Sequence, residues 1–254
     1  SHGIPDRSAT AGAGVLAAGA TGSALAQQTE LAERLVVFDA PGGRLDGMFI
    51  TPAEGKYPAV ILWPDIAGLR DAKFAMGREL ARAGYAVLVA NPYYRSVEGV
   101  QFEDFDDWRA QGGFDKVGPW MALNTPAAIA ETMVAAVAWL DQREEVDTDR
   151  GIGMQGYCMT GSWTIRGAAA VPTRVKAAAS FHGGGLNTAN PDSPHLLIPK
   201  MKASMLIAIA DNDDKSNPTS KDILRKAFDD AKVKAEIEVY TGAQHGWCSI
   251  DSAV

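Results

Sequence analysis

Gly156-Tyr157-Cys158-Met159-Thr160-Gly161 is the stretch that decides the fold. Residues 150–155, which precede it, have the pattern of a short strand, and residues 159–170 have that of a helix rich in small side chains. Cys158 is therefore expected at a sharp turn between a strand and a helix. Unpaired N–H groups at a helix start favour thiolate over thiol and can hold an oxyanion. On this turn alone, a nucleophilic cysteine and a buried apolar cysteine both remain open.

The composition is that of a globular enzyme and excludes several classes of protein. The chain has 254 residues, of which 46% are hydrophobic and 22% charged, enough for one large α/β domain. A net charge of −7 argues against nucleic acid and against an anionic membrane surface as partners. Two cysteines provide no disulfide framework, and no apolar run is long enough to span a bilayer. We expect a monomer or a small homo-oligomer that binds a small molecule.

Residues 1–26 have the pattern of an export signal or leader. Arg7 precedes a mild apolar run made mostly of alanine and glycine, and an Ala-x-Ala site follows at residues 24–26. With export, the mature enzyme would begin near Gln27 and work in the periplasm or outside the cell. If residues 1–26 are instead a leader that does not direct export, the enzyme would remain in the cytoplasm. Residues 27–254 are assigned to a single domain.

Strand and helix patterns alternate along the rest of the chain. Strands are predicted at residues 34–38, 45–51, 57–63, 85–90, 150–155, 175–182, 204–210 and 235–240, and helices at 71–83, 126–143, 159–170 and 220–231. This alternation predicts an α/β fold with a mostly parallel central sheet and helices on both faces. The aromatic-rich residues 93–124 interrupt it, and either cover an apolar substrate group or form a small core of their own.

Two further reactive residues follow later strands. Asp211 comes directly after the strand at 204–210, and His245 comes shortly after the strand at 235–240. Sites in open α/β sheets form at the carboxyl ends of the strands, and the order nucleophile, acid, histidine is that of the α/β-hydrolases. We therefore predict Cys158 as nucleophile, His245 as base and Asp211 as the group that orients the imidazole.

Three motifs resemble those of the dienelactone hydrolases, and the resemblance covers about residues 31–247. They are the stretch from Gly156 to Gly161, Ala210-Asp211-Asn212-Asp213 and His245-Gly246-Trp247. The resemblance implies an α/β-hydrolase fold, a lactone or small-ester substrate, and no metal or organic cofactor. It also implies an oxyanion hole made by the backbone N–H groups of Ile66 and Met159.

The resemblance further implies residues that bind substrate or relay a proton. Asp65 stands where the family usually has a glutamate, which is thought to take the thiol proton. Arg95 resembles an arginine that holds the carboxylate of dienelactone. Tyr94 and Trp247 are two further candidates for substrate binding or proton relay. A second such arginine usually follows the catalytic histidine, but here Trp247 stands close after His245. This departure leaves a broader ester or lactone hydrolase open.

Two other functions remain open from the sequence. Residues 151–156 match the spacing of a dinucleotide fingerprint, but no acidic residue ends a following strand at the expected distance. A dinucleotide-binding oxidoreductase is therefore the weaker alternative. The other is a non-catalytic relative that keeps the fold as a binding module. His182 and His195 have no partners at metal-ligand spacing, and we interpret both as structural.

Overall fold

The computed structural model describes residues 30–254 of the chain, so the predicted export signal at residues 1–26 lies outside the described residues. The strands are β1 (Leu31–Ala40), β2 (Gly43–Pro52), β3 (Ala59–Trp63), β4 (Ala86–Ala90), β5 (Ile152–Tyr157), β6 (Val175–Phe181), β7 (Ser204–Ala210) and β8 (Ala235–Tyr240). The α-helices are α1 (Asp71–Arg82), α2 (Phe105–Ala110), α3 (Gly113–Ala122), α4 (Pro126–Asp141), α5 (Gly161–Ala170), α6 (Asp211–Ser216) and α7 (Ser220–Ala231). Two 3-10 helices span Cys158–Thr160 and Pro194–Lys200.

The strands of this part of the chain form one sheet in the order β1-β2-β4-β3-β5-β6-β7-β8. β1 and β2 form an antiparallel hairpin, and β2 pairs antiparallel with β4. All other neighbours are parallel. The predicted fold class is therefore confirmed. Because parallel strands end at the same edge, the loops after β3, β5, β6, β7 and β8 meet there.

Both faces of the sheet carry helices, which explains the continuous apolar runs of the central strands. Val87 and Val89 of β4 pack with Phe74 of α1 on one face. Leu88, between them, belongs to the core on the other face with Met133 of α4. Successive strand residues point to opposite faces, so a strand covered on both sides contains no polar alternation. No single helix within residues 30–254 is long and apolar enough to cross a membrane.

The aromatic-rich segment contains α2 and α3, which the periodicity did not predict. Phe102, Trp108 and Val117 of this segment form a small core with Tyr93 and with Ile66 and Ala67 of the loop after β3. The segment therefore packs its aromatic side chains into a core that it shares with that loop. The two helices are short and are separated by Gly112, whose φ of 67° lies in the left-handed region that favours glycine. Helices of six and ten residues give too few turns for a clear apolar period.

Candidate active site

The turn that carries Cys158 is strained. β5 ends at Tyr157, and Cys158 has a φ of 54°, in the left-handed region that residues other than glycine rarely adopt. Such a conformation costs on the order of 1–3 kcal/mol and persists only when its surroundings enforce it. A Cβ atom on Gly156 would lie 2.1 Å from the carbonyl oxygen of Thr160, and one on Gly161 would lie 2.6 Å from the Cα of Gly183. Glycine is therefore required on both sides of the turn.

Thr160 fixes this turn to the end of β3. Its Oγ1 accepts a hydrogen bond from the backbone N–H of Tyr157 at 2.8 Å. The same hydroxyl lies 3.0 Å from the carbonyl oxygen of Trp63 and 2.9 Å from that of Pro64, and it donates its proton to them. A residue without a side-chain hydroxyl at position 160 could make none of these contacts.

The structure brings Cys158 and His245 together but pairs His245 with a different aspartate from the one predicted. Cys158 Sγ lies 3.1 Å from His245 Nε2, and His245 Nδ1 lies 2.6 Å from Asp213 Oδ2. The prediction of Asp211 is therefore wrong. Asp211 instead accepts from Lys215 Nζ at 3.2 Å and from the N–H of Gly242 at 3.3 Å.

The physical reason for this difference is the helix that starts at the strand end. α6 begins at Asp211, so the chain turns as soon as β7 ends and Asp213 in the first turn faces His245. Asn212 Oδ1 accepts from the backbone N–H of His245 at 2.8 Å and fixes the same loop. The motif from Ala210 to Asp213 contains both aspartates, so the sequence showed both candidates but did not distinguish between them.

The charge state of His245 follows from these contacts. The hydrogen bond with Cys158 contributes most to raising the pKa of His245 to about 9, against the opposing effect of burial. The Cys158 charge and the bond to Asp213 also raise it. His245 therefore holds a proton at neutral pH when its partner is the charged sulfur.

A small cavity of about 120 Å³ opens beside Cys158 and His245. Phe105 and Arg109 of α2 line it, as does Val254. Arg109 is exposed, and its guanidinium lies 4.9 Å from the centre of the Phe105 ring. The cavity therefore combines an apolar wall with a positive charge at its edge. Arg109 was not predicted, although it is the only arginine in residues 96–142 of the sequence.

Asp65 also lines this cavity, but its carboxylate is bound to other side chains. Arg70 donates to both oxygens, at 2.7 and 2.9 Å, Ser249 Oγ donates at 2.9 Å, and Lys73 Nζ lies 3.3 Å away. Burial would raise the pKa of Asp65, but attraction to Lys73 and the hydrogen bonds from Arg70 outweigh it and hold the pKa well below its usual range. The geometry therefore does not support the expectation that Asp65 takes the thiol proton.

The same network joins three segments that surround the cavity. Asp65 Oδ1 accepts from the N–H of Ala67, which fixes the loop after β3. The Asp251 carboxylate accepts from Arg70 Nε at 2.6 Å and from the N–H of Phe105 at 3.1 Å. The loop after β3, the start of α2 and the segment after His245 are thus held by one set of charges.

The two residues predicted for the oxyanion hole lie close to each other. The hydroxyl of Tyr93 donates to the carbonyl oxygen of Ile66 at 2.6 Å and lies 3.5 Å from Met159 Sδ. Met159 directly follows Cys158, and Ile66 follows Asp65 in the loop after β3. Their position is compatible with the predicted role, which stays a prediction.

The structure places the other predicted substrate-binding residues away from the cavity. Arg95 donates to Thr132 Oγ1 at 2.8 Å and to a carbonyl of α4, and it packs over the ring of Tyr94. Neither Arg95 nor Tyr94 lines the cavity beside Cys158, so the structure gives no support there to these two substrate-binding predictions. In the loop after β4, Tyr94 and Arg95 pack towards α4, whereas Tyr93 contacts Ile66 and Met159. Trp247 packs against His182, with 5.4 Å between the ring centres, and does not line the cavity either.

His182 is buried next to the ring of His245. Its ring centre lies 5.0 Å from that of His245, and neither ring nitrogen has a hydrogen-bond partner among the described residues. Burial, with a smaller effect from His245, lowers the pKa of His182 to about 3. His182 is therefore neutral and supports His245 by packing.

The glycine-rich stretch at residues 151–156 does not form a dinucleotide site. Gly153 and Gly156 lie within β5, where they pair with neighbouring strands, and α5 begins only at Gly161. A dinucleotide fingerprint needs its glycines in the turn that opens the helix. Within residues 30–254, no group of three or more His, Cys, Asp or Glu side chains is placed to hold a metal ion.

Comparison with known proteins identifies the family. The dienelactone hydrolase family matches residues 45–253. The chain belongs to the dienelactone hydrolase family. A protein of Synechocystis sp. named "Putative carboxymethylenebutenolidase" is 26% identical over 200 residues, which are 77% of each chain. Membership makes this chain a hydrolase of carboxylic esters or lactones.

Two solved structures show the same fold as this dienelactone hydrolase family member. The first, titled "Putative Dienelactone Hydrolase" and from Klebsiella pneumoniae, has a TM-score of 0.74 at 21% identity and covers 88% of this chain and 91% of its own. The second, a dienelactone hydrolase-like promiscuous phosphotriesterase from metagenomic libraries, has a TM-score of 0.66 at 21% identity. It covers 85% of this chain and 84% of its own.

Replacing Asp65 by asparagine tests whether its charge holds the structure together. Asp65→Asn removes the carboxylate that pairs with the buried Lys73 and one of the two that pair with the buried Arg70, and we expect it to destabilise the protein by about 3–5 kcal/mol. Urea unfolding measures the change. Asp230→Asn, which removes an exposed pair with Lys226, is the matched control and should have no measurable effect. Equal stability of the two variants would contradict this role.

The pKa of His245 provides a second test. Because the pKa is raised, the ring keeps its proton at neutral pH and loses it as the pH rises through about 9. Cys158→Ala removes the largest cause, so its His245 should lose the proton nearer the ordinary value of 6.5. Asp213→Asn removes a smaller contribution, so it should lower the pKa of His245 by less than Cys158→Ala does. NMR titration of the imidazole measures all three, and an unchanged midpoint in Cys158→Ala would contradict the assignment.

Proposed function

We propose that the protein hydrolyses a small carboxylic ester or lactone and carries the acyl group on Cys158 during the reaction. The observation that supports this most directly is the alignment of three side chains. Cys158 Sγ lies 3.1 Å from His245 Nε2, and His245 Nδ1 lies 2.6 Å from Asp213 Oδ2. A nucleophile, a base and a group that orients the base are thus within hydrogen-bond reach of one another.

In the first half of the reaction, the Cys158 thiolate attacks the carbonyl carbon of the substrate. The carbonyl oxygen becomes negative and accepts hydrogen bonds from the backbone N–H groups of Ile66 and Met159. The protonated His245 then gives its Nε2 proton to the leaving oxygen as the bond between carbon and that oxygen breaks. The products of this half are an alcohol and a thioester on Cys158.

In the second half, neutral His245 takes a proton from water, and the resulting hydroxide attacks the thioester. The bond between carbon and sulfur breaks, which releases the carboxylic acid and returns the sulfur to the thiolate. Asp213 accepts a hydrogen bond from Nδ1–H throughout, which keeps the imidazole in the productive tautomer and stabilises its charged form. This sequence needs no group beyond the three side chains, the two N–H groups and water.

The cavity beside Cys158 indicates the kind of acyl group that fits. Its volume of about 120 Å³ is below the range typical of ligand pockets, which favours a small acyl group. Phe105 provides an apolar wall, and Arg109 provides a positive charge at the edge. We propose that Arg109 favours an acyl group that carries a carboxylate, the role for which Arg95 is wrongly placed.

Two aspartate variants and one cysteine variant test this mechanism. Cys158→Ala should lose hydrolysis by orders of magnitude on a panel of small esters and lactones, because the nucleophile is gone. Asp213→Asn should lower kcat by about 10²–10⁴-fold, because the imidazole loses the acceptor that sets its tautomer. Asp211→Asn, at the neighbouring position that does not contact His245, should stay within about threefold of the wild type. Loss of activity in Asp211→Asn but not in Asp213→Asn would contradict the assignment.

A further inference from the structure

The loop after β3 contains a tight turn at residues 65–68, and most of the polar groups of this turn are hydrogen-bonded. The carbonyl oxygen of Asp65 accepts from the N–H of Gly68 at 2.9 Å, and its Oδ1 accepts from the N–H of Ala67 at 3.0 Å. Gly68 has a φ of 75°, which glycine adopts without strain. The N–H of Ile66 differs from these groups, because it has no acceptor within residues 30–254.

Tyr93, in the loop after β4, fixes the peptide unit that follows Ile66. Its hydroxyl donates to the carbonyl oxygen of Ile66 at 2.6 Å, and this oxygen has no other donor in the described part of the chain. The N–H of the same peptide unit, which belongs to Ala67, is held by Asp65. Because the unit is planar and is fixed at both ends, it cannot rotate without breaking one of these bonds.

Tyr93 is itself held firmly in place. Its side chain is buried, and its N–H donates to Asn91 Oδ1 at 2.9 Å. The amide nitrogen of Asn91 donates in turn to Asp46 Oδ1 at 2.9 Å. The rings of Tyr93 and Trp120 pack with 5.4 Å between their centres. Burial raises the pKa of the Tyr93 hydroxyl above its ordinary value, so the group keeps its proton and remains a donor.

The same side chain contacts both residues that supply the oxyanion donors in the proposed function. The Tyr93 hydroxyl lies 3.5 Å from Met159 Sδ, in addition to its bond with Ile66. All three side chains belong to the small core that also contains Phe102. Tyr93 therefore joins the loop after β3 to the turn that carries Cys158.

We propose that Tyr93 is a positioning residue that holds the N–H of Ile66 in the orientation needed to bind the oxyanion. This inference rests on the proposed function, which gives that N–H its role. The bond from Gly68 turns the carbonyl of Asp65 into the turn, so the N–H of the same trans peptide, that of Ile66, points out of it. Without the Tyr93 hydroxyl, the buried carbonyl of Ile66 would be unpaired, and the loop would shift to find another donor. Small displacements of a positioned group slow catalysis strongly.

The variant Tyr93→Phe removes only the hydroxyl and tests this role. We expect kcat for small esters to fall by about 10–100-fold while KM stays within about threefold, because both halves of the reaction form an oxyanion and substrate binding does not. Alkylation of Cys158 by iodoacetamide should stay within about threefold of the wild-type rate and keep its pH dependence. This reaction needs the thiolate but forms no oxyanion.

Tyr57→Phe is the matched control. It removes a tyrosine hydroxyl that also donates to a backbone carbonyl oxygen, that of Glu54, at 2.7 Å. Tyr57 precedes β3, whereas the turn at residues 65–68 follows it, so the two tyrosines act at opposite ends of the strand. We expect kcat and the alkylation rate of Tyr57→Phe to equal those of the wild type.

A proline at position 66 identifies the group through which Tyr93 acts. Proline is favoured at the second position of a turn and has no N–H, so Ile66→Pro should lower kcat by about 10²–10³-fold. Adding Tyr93→Phe to Ile66→Pro should lower kcat by less than about threefold more, because the N–H that Tyr93 positions is already absent.

The outcomes separate failure of this inference from failure of the proposed function. A wild-type kcat in Tyr93→Phe, or a parallel fall of kcat and alkylation rate, would overturn the positioning role while leaving the hydrolase mechanism intact. Additive effects of Tyr93→Phe and Ile66→Pro would overturn it in the same way. Absence of wild-type turnover on every ester and lactone of the panel would overturn the proposed function, and this inference with it.

Discussion

The left-handed backbone of Cys158 is the constraint on which the site depends. A residue other than glycine keeps this backbone conformation only when its surroundings enforce it. Three neighbouring residues do so here. Gly156 and Gly161 allow the strand and the helix to approach within distances that a side chain would block. Thr160 ties the turn to β3 through its hydroxyl. The surrounding sheet and helices therefore offset the backbone strain at Cys158. They hold its sulfur at the carboxyl edge of the sheet, within reach of His245.

A buried set of charges holds the other parts of the site in place. Arg70 is fully buried, and burying charges is costly unless they are paired and hydrogen-bonded. Asp65 and Asp251 provide that pairing from segments far apart in the chain. Because Asp65 is engaged in this way and also accepts from the N–H of Ala67, it fixes the loop that carries Ile66.

The sequence was sufficient for most of the fold because the relevant signals are local. The bounds of β7, β8 and α7 were predicted to the residue, since apolar runs and helix periodicity are read within each segment. Cys158 and His245 could be placed together because parallel strands end at one edge. The short helices α2 and α3 escaped prediction because they are too brief to establish a period.

The errors concern contacts that no local pattern encodes. The choice between Asp211 and Asp213 depended on the direction in which α6 leaves β7, and strand spacing does not determine that direction. Arg95 was misplaced because its loop packs on α4, whereas Arg109 reaches the cavity from an insert. The contact between Asp65 and Ser249 joins positions 184 residues apart. Only the assembled fold shows such pairs.

Direct detection of the acylated cysteine tests the central claim. Rapid mixing of the protein with a p-nitrophenyl ester, acid quenching and mass spectrometry of the intact chain and its peptides would locate the acyl group. We expect one acyl group per chain on the peptide that contains Cys158, formed together with a burst of p-nitrophenol. An acyl group on a different residue, or steady hydrolysis with an unmodified Cys158 at every time point, would contradict it.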